Sequence, residues 1–313
     1  MSFEQLMQHA EEIRQKAIDE EVETLEQEIR NDGTPNVGSL LAERRRQIEQ
    51  AYADVPDLFE PFTEMPDPSS FDGMIAQLAA ALHKLSSGEG HESPLDGAIY
   101  PANVALAGLP GVTSYIEDWT GAAAMEFKTN FVDPFSAIVQ NQFLLTSVLK
   151  VALEAEQAIW AAARNDIDKI AHDALAALDS DGCGPSGWTM TFTVVAAIVA
   201  TTAAPVGAVS VVAGTALTAV GSAVSIVGAV PRDTAPSIQF SAGSPSSVIS
   251  QMREAISMLI QEIHVQESEV ANAMSGNLGL VSGNRGSYVS PRPALAGADG
   301  GDITGPDYMG YSS

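Results

Sequence analysis

Fifty consecutive residues, Gly182 to Pro231, carry no charged side chain in a chain whose formal net charge is −25. Within that run glycine recurs every seven residues, at Gly207, Gly214, Gly221 and Gly228. Seven residues make nearly two helical turns, so in a helix these glycines form one narrow stripe against which another backbone can approach closely. Pro205 divides the run into an arm from Trp188 to Ala204 and a second from Val206 to Val230. As a helix the second arm would be about 37 Å long, against a hydrocarbon thickness of about 30 Å. The rest of the run is Val, Ala, Thr, Ser and Ile, and its hydroxyls and glycines dilute the hydrophobicity of a permanent anchor. Three readings fit residues 188–230: a helical hairpin buried in a soluble fold, a hairpin that also enters a bilayer, or a resident membrane segment or strand pair. Four interior glycines cost about 4 kcal/mol relative to alanine, so a helical stripe must be offset by close packing.

Forty acidic residues against fifteen basic ones exclude nucleic-acid binding through counterion release. The same excess gives no attraction to anionic lipid, so membrane entry must be driven by apolar burial. Cys183 is the single cysteine, which leaves no intrachain disulfide; Cys-Gly-Pro-Ser lacks the second thiol of a redox motif and reads as a turn. The first twenty residues have no positive start, apolar core or cleavage site, so no secretory signal peptide is expected there.

Outside the uncharged run the pattern is helical. Phe3, Leu6, Ala10, Ile13 and Ala17, then Ile18, Val22, Leu25 and Ile29, follow three-four spacing with one register slip, which predicts an amphipathic helix with a narrow seam. Asn31 to Pro35 breaks it, and a second helix is expected from Ser39 to Tyr52, its Arg44-Arg45-Arg46 cluster balancing neighbouring glutamates. Residues 53–69 read as an acidic linker. A helix capped near Ser70 runs to Leu85, and Asp133-Pro134 resembles a capped helix start leading some 45 residues to Leu178. Ser244-Pro245 opens another helix to Met274. The expected fold is therefore all-α, an elongated helical bundle with long helices flanking the apolar hairpin. Its divisions are residues 1–66, an acidic amphipathic region and linker; 67–275, the bundle; and 276–313, a disordered tail.

Residues 119–131 read Trp-Thr-Gly-Ala-Ala-Ala-Met-Glu-Phe-Lys-Thr-Asn-Phe, with Trp119, Ala123, Phe127 and Phe131 at four-residue intervals. Trp119-x-Gly121 followed by small residues resembles the Trp-x-Gly signature of helical-hairpin proteins secreted by type VII (ESX) systems. The resemblance covers residues 70–180 and implies a helical hairpin bent at Trp119 and Gly121, with Gly121 allowing tight backbone approach. That family's export signal, Tyr-x-x-x-Asp/Glu, has no counterpart, since none of the six tyrosines is followed four residues later by an acid. The resemblance thus implies a secretion partner that carries the signal, and a chain found outside the cell or at its surface. Long helices around an apolar hairpin are also similar in layout to helical pore-forming toxins.

Residues of catalytic or metal chemistry are not grouped. The histidines, His9, His83, His91, His172 and His264, are scattered, with His83 and His91 able to meet across a loop. The pairs Asp166/Asp168 and Glu20/Glu21 read as solvated carboxylates, and Asp179/Asp181 lack the spacing of a calcium loop. No cofactor, metal or catalytic residue is expected. The leading expectation is a non-catalytic secreted protein that assembles through helices with itself or a partner; a membrane-inserting pore former and an intracellular structural component are the alternatives. If the glycine stripe packs helices in a bilayer, dye leakage from liposomes falls when Gly214 and Gly221 are replaced by leucine. Leakage indifferent to those changes excludes that role.

Overall fold

The computed structural model describes residues 3–31, 37–87, 91–93, 97–108, 111–120, 122–179, 188–193, 237–240 and 244–290. Their order is α1 (Leu6–Asn31), α2 (Val37–Ala51), α3 (Asp72–Leu85), β1 (His91–Glu92), β2 (Ile99–Tyr100), α4 (Val104–Ala107), α5 (Val112–Tyr115), α6 (Ala122–Phe127), α7 (Phe135–Leu178), β3 (Trp188–Thr191), β4 (Ser237–Phe240) and α8 (Pro245–Gly283). The fold is all-α: among the described residues, strands form only two short antiparallel ladders, β1–β2 and β3–β4. Two compact units are present, and neither is contiguous in sequence. The first contains residues 1–72, 155–200 and 229–270; the second contains 73–154, 201–228 and 271–313.

In the first unit the expected α1 seam is buried at Leu6, Ala10, Ile13, Ala17 and Ile18, and burial returns at Ile29. The later half of α7 is buried at Ala155, Ile159, Ala163, Ile167, Ile170 and Ala174, all without exposed surface. Alternating Ala with Ile keeps such a face narrow while still removing apolar area from water. On α8, Val248, Met252, Ala255 and Leu259 are buried at the same three-four spacing. Two links join distant parts of this unit: Tyr52 donates from its hydroxyl to the Glu21 carboxylate at 2.9 Å, and Lys16 pairs with Asp179. Arg45 pairs with Glu49 and Asp19, and Arg46 with Glu43, while Arg44 donates to the Gln47 side chain.

The segment expected as an acidic linker is part of the core. Residues 53–69 form successive 3-10 turns at Pro56–Leu58, Glu60–Glu64 and, just beyond, Pro68–Phe71, and they bury Val55, Phe59, Phe62 and Met65. The prolines enter at the first turn positions, where a fixed φ and a missing N–H cost nothing. Asp67 accepts from the Ser69 backbone at 2.9 Å and caps the last turn, so α3 begins at Asp72, two residues after the expected cap. Side chains from the long helices clamp the segment by its backbone. Arg164 donates to the Met65 carbonyl at 2.9 Å, with its guanidinium 4.6 Å over the Phe3 ring, and Gln157 donates to the Pro68 carbonyl and the Asp72 carboxylate. Arg253 pairs with Asp54 at 2.6 Å.

Within the uncharged run, Trp188–Thr191 is extended, which corrects a helical arm beginning at Trp188. Trp188–Thr191 pairs antiparallel with Ser237–Phe240, and Met190 lies opposite Ile238 with both buried. Met190 and Phe192 go inward while Thr191 and Thr193 stay exposed, the two-residue period of a half-buried strand. Asp166, expected as a solvated carboxylate, is fully buried instead and accepts from the Thr193 backbone at 2.7 Å and its hydroxyl at 2.8 Å. A carboxylate removed from water has to be bonded in this way.

In the second unit Leu82 of α3 packs with Tyr100 and Phe143, and the His83 ring meets Tyr100 edge-on at 5.1 Å. His91 is the backbone partner of the same tyrosine. Ser86 donates to the Tyr100 carbonyl, and Asn103 both caps α4 and donates to the Lys84 carbonyl. The expected disordered tail begins too early at 276. Helix α8 continues to Gly283, and Tyr288 is buried beside Leu144, with Asn141 and Gln142 donating to the carbonyls of Ser287 and Tyr288. Leu280 and Val281 extend the apolar periodicity of α8 past Met274, which is why the helix does not stop there.

Phe59→Ala should destabilise the protein by about 3–5 kcal/mol in urea unfolding, the usual effect of emptying a buried aromatic site. A loss below about 1 kcal/mol would mark the segment as a solvated linker after all.

Candidate functional site: an aromatic ridge at a widened helical turn

Pro134 interrupts a helical run that otherwise continues from Ala122 to Leu178. It offers no N–H, and its ring would collide with the carbonyl four residues earlier in a regular helix. The chain answers with a π-turn at Lys128–Val132, in which the Asp133 N–H bonds to the Lys128 carbonyl at 2.9 Å, five residues back. Helix resumes at once, with the Ile138 N–H on the Pro134 carbonyl at 2.9 Å. Asp133 has φ −61 and ψ −45, a helical conformation, so it is not the helix cap that Asp133-Pro134 suggests in sequence.

Trp119 lies just before α6, and Lys128 straps that approach by donating to the carbonyls of Glu117 at 3.0 Å and Trp119 at 3.4 Å. The Trp119 ring sits 6.2 Å from Phe127, which stacks on Phe131 at 5.6 Å with 7° between the planes. Exposure is 54% at Trp119, 42% at Phe127 and 36% at Phe131, so the rings form a ridge facing water rather than a core. Neighbouring Tyr115 and Met125 are exposed as well. The four-residue spacing seen in sequence is therefore a real face, with Trp119 joining it from outside the helix. Phe127 and Phe131 also wall a cavity of about 510 Å³, whose other lining includes Leu106, Val112, Asp133 and Ser136. The π-turn supplies part of that wall, and sequence reasoning missed the cavity although Pro134 inside an apolar helical run was its signal.

Gly121 lies outside the described residues, as do Pro205, Gly207, Gly214, Gly221 and Gly228. The helical hairpin expected over 188–230 can be followed only at its beginning, where it is the strand β3.

A second cavity, about 270 Å³, belongs to the first unit and is lined by Phe62, Met65, Trp160, Ile260, His264 and Glu267. Burial raises the Glu156 carboxyl above its ordinary value, and the Glu267 carboxylate adds to the shift, while a hydrogen bond from Trp160 opposes it. His264 lies 3.7 Å from Glu267. Burial likewise raises the Tyr52 and Tyr288 hydroxyls, with Glu21 adding to the effect at Tyr52. In the first unit His9 is buried, its Nδ1 3.9 Å from Asp168, too far for a hydrogen bond.

Because the folded state holds the Glu156 proton more tightly than the unfolded chain does, this group removes stability as pH rises through its raised value. Acidification towards the ordinary glutamate value, about 4.3, restores that stability. Glu156→Gln should therefore raise the melting temperature at pH 7 and leave it unchanged below about pH 4. A uniform shift at every pH would rule out the charge as its cause.

No protein-family model, curated protein or solved structure matches the chain.

Proposed function

We propose that the chain is a non-catalytic helical protein of a type VII (ESX-like) secretion system, which leaves the cell and acts through helix–helix assembly. The observation that supports this reading is the ridge itself. Trp119, Phe127 and Phe131 lie in one row of rings with a third to a half of their surface in water. Contiguous exposed aromatic surface is what a protein partner covers, and the tryptophan at one end of the row is the residue type that dominates such contacts. The ridge also includes Trp119, the tryptophan of the Trp-x-Gly resemblance. The partner supplies the export signal that the tyrosines of this chain do not, and the charge of −25 keeps the free protein soluble meanwhile.

A bilayer-inserting protein is the second reading, and one feature favours it. Besides the uncharged run, the continuous helix Ala124–Leu178 is long and apolar enough to cross a membrane, although 56% of its most apolar window is buried within the fold. That burial ranks the assembly reading first, since the core helix of a soluble protein passes the same test.

Deleting the secretion ATPase in the native host should remove the protein from the medium and leave it in the cells. Unchanged protein in the medium overturns the reading. Trp119→Ala should likewise abolish export while shifting urea unfolding by less than about 1 kcal/mol, because so exposed a ring contributes little to the fold.

A further inference from the structure

Going beyond the ridge as a protein contact, we propose that the cavity it borders binds a cationic amphiphile, an apolar chain or ring carrying a protonated amine or quaternary ammonium. The backbone holds this space open: Pro134 forces the π-turn at Lys128–Val132, and Phe131 and Val132 on that turn form one wall. A π-turn gives up regular helical bonding and is frequently found at functional sites. At about 510 Å³ the cavity lies within the range of small-molecule sites and is lined chiefly by Phe, Val and Leu side chains.

Its polar lining sets the sign of the ligand. The Asp133 carboxylate makes no hydrogen bond or ion pair among the described residues, since only its backbone N–H takes part in closing the π-turn. Lys128, the nearest cation in sequence, is committed to the carbonyls of Glu117 and Trp119. Asp133 is therefore free to meet a positive head group, and Ser136 beside it adds a hydroxyl acceptor. The parallel faces of Phe127 and Phe131 offer cation–π contact. A fatty-acid carboxylate would meet Asp133 and a chain of charge −25 instead.

The test uses the full chain loaded with N-phenyl-1-naphthylamine, a neutral fluorophore. Dodecyltrimethylammonium, dodecanol and dodecanoate compete for the site below their micelle concentrations. The cation should displace the fluorophore at up to about five-fold lower concentration than dodecanol, the range of a solvent-accessible ion pair, with dodecanoate weakest. Asp133→Asn should shrink the advantage of the cation, leaving only the contribution of the rings, and leave dodecanol unchanged. Ser136→Phe, at an exposed lining position, should reduce fluorophore binding with helical circular dichroism retained. A cation preference undiminished by Asp133→Asn overturns the proposal. So does fluorophore binding indifferent to Ser136→Phe, or dodecanoate competing as well as the cation. These readouts need no secretion machine, so they stand or fall apart from the export experiment.

Discussion

Ala155, Ile159, Ala163, Ile167, Ile170 and Ala174 of α7 have no surface in water, and so long a dry strip can exist only if narrow partners lie along it. Ala10, Ile13 and Ala17 of α1 repeat the same small–large alternation, and Val248, Met252, Ala255 and Leu259 of α8 repeat it with larger side chains. Each isoleucine removed from water contributes about 1.5–3 kcal/mol, while each alanine contributes mainly by letting another backbone come close. The first unit depends on that strip. Its polar fastenings are made by the same helix: Arg164 on the Met65 carbonyl and Gln157 on Pro68 and Asp72 from outside the strip, and the buried Asp166 on Thr193 from within it. One helix therefore supplies both the apolar surface and the hydrogen bonds that fix irregular backbone upon it.

The helices were legible because their apolar spacing is long and regular: α1, α3, α7 and α8 are where periodicity puts them, within a few residues at most ends. The failures have particular physical causes. In 53–69 the prolines and acids suggest a linker, yet Val55, Phe59, Phe62 and Met65 recur every three or four residues while Asp54, Asp57, Glu60, Glu64 and Asp67 are exposed. Punctuating residues hid an amphipathic face that 3-10 turns could still present. At Trp188–Thr191, four residues are too few to separate a two-residue from a 3.6-residue period, and strand formation depends on a partner nearly fifty positions later. Asp133-Pro134 misled for the opposite reason. The pair has the chemistry of a helix start, but the apolar face on both sides of it keeps the helix continuous and leaves the distortion local.

The candidate site was half legible. Four-residue spacing marked Trp119, Phe127 and Phe131 as one face, yet spacing alone cannot tell a ridge in water from a core, because both use the same residues. What decides is the surroundings: Ile116 is buried just before Trp119, while Tyr115, Met125 and the three rings are not. The cavity depends on chain crossing from α4 and α5, brought there by tertiary contacts that no local pattern encodes.

The β3–β4 ladder has a consequence for the long apolar insertion. Thr191 stands opposite Ser237, so the 45 residues between them depart from and return to neighbouring points of the first unit. Loop closure varies slowly with length, by about 0.6 kcal/mol per doubling. The ladder thus works as a clasp. Beyond Thr193, which the buried Asp166 holds, the length of the connection adds little to the cost of closing that clasp.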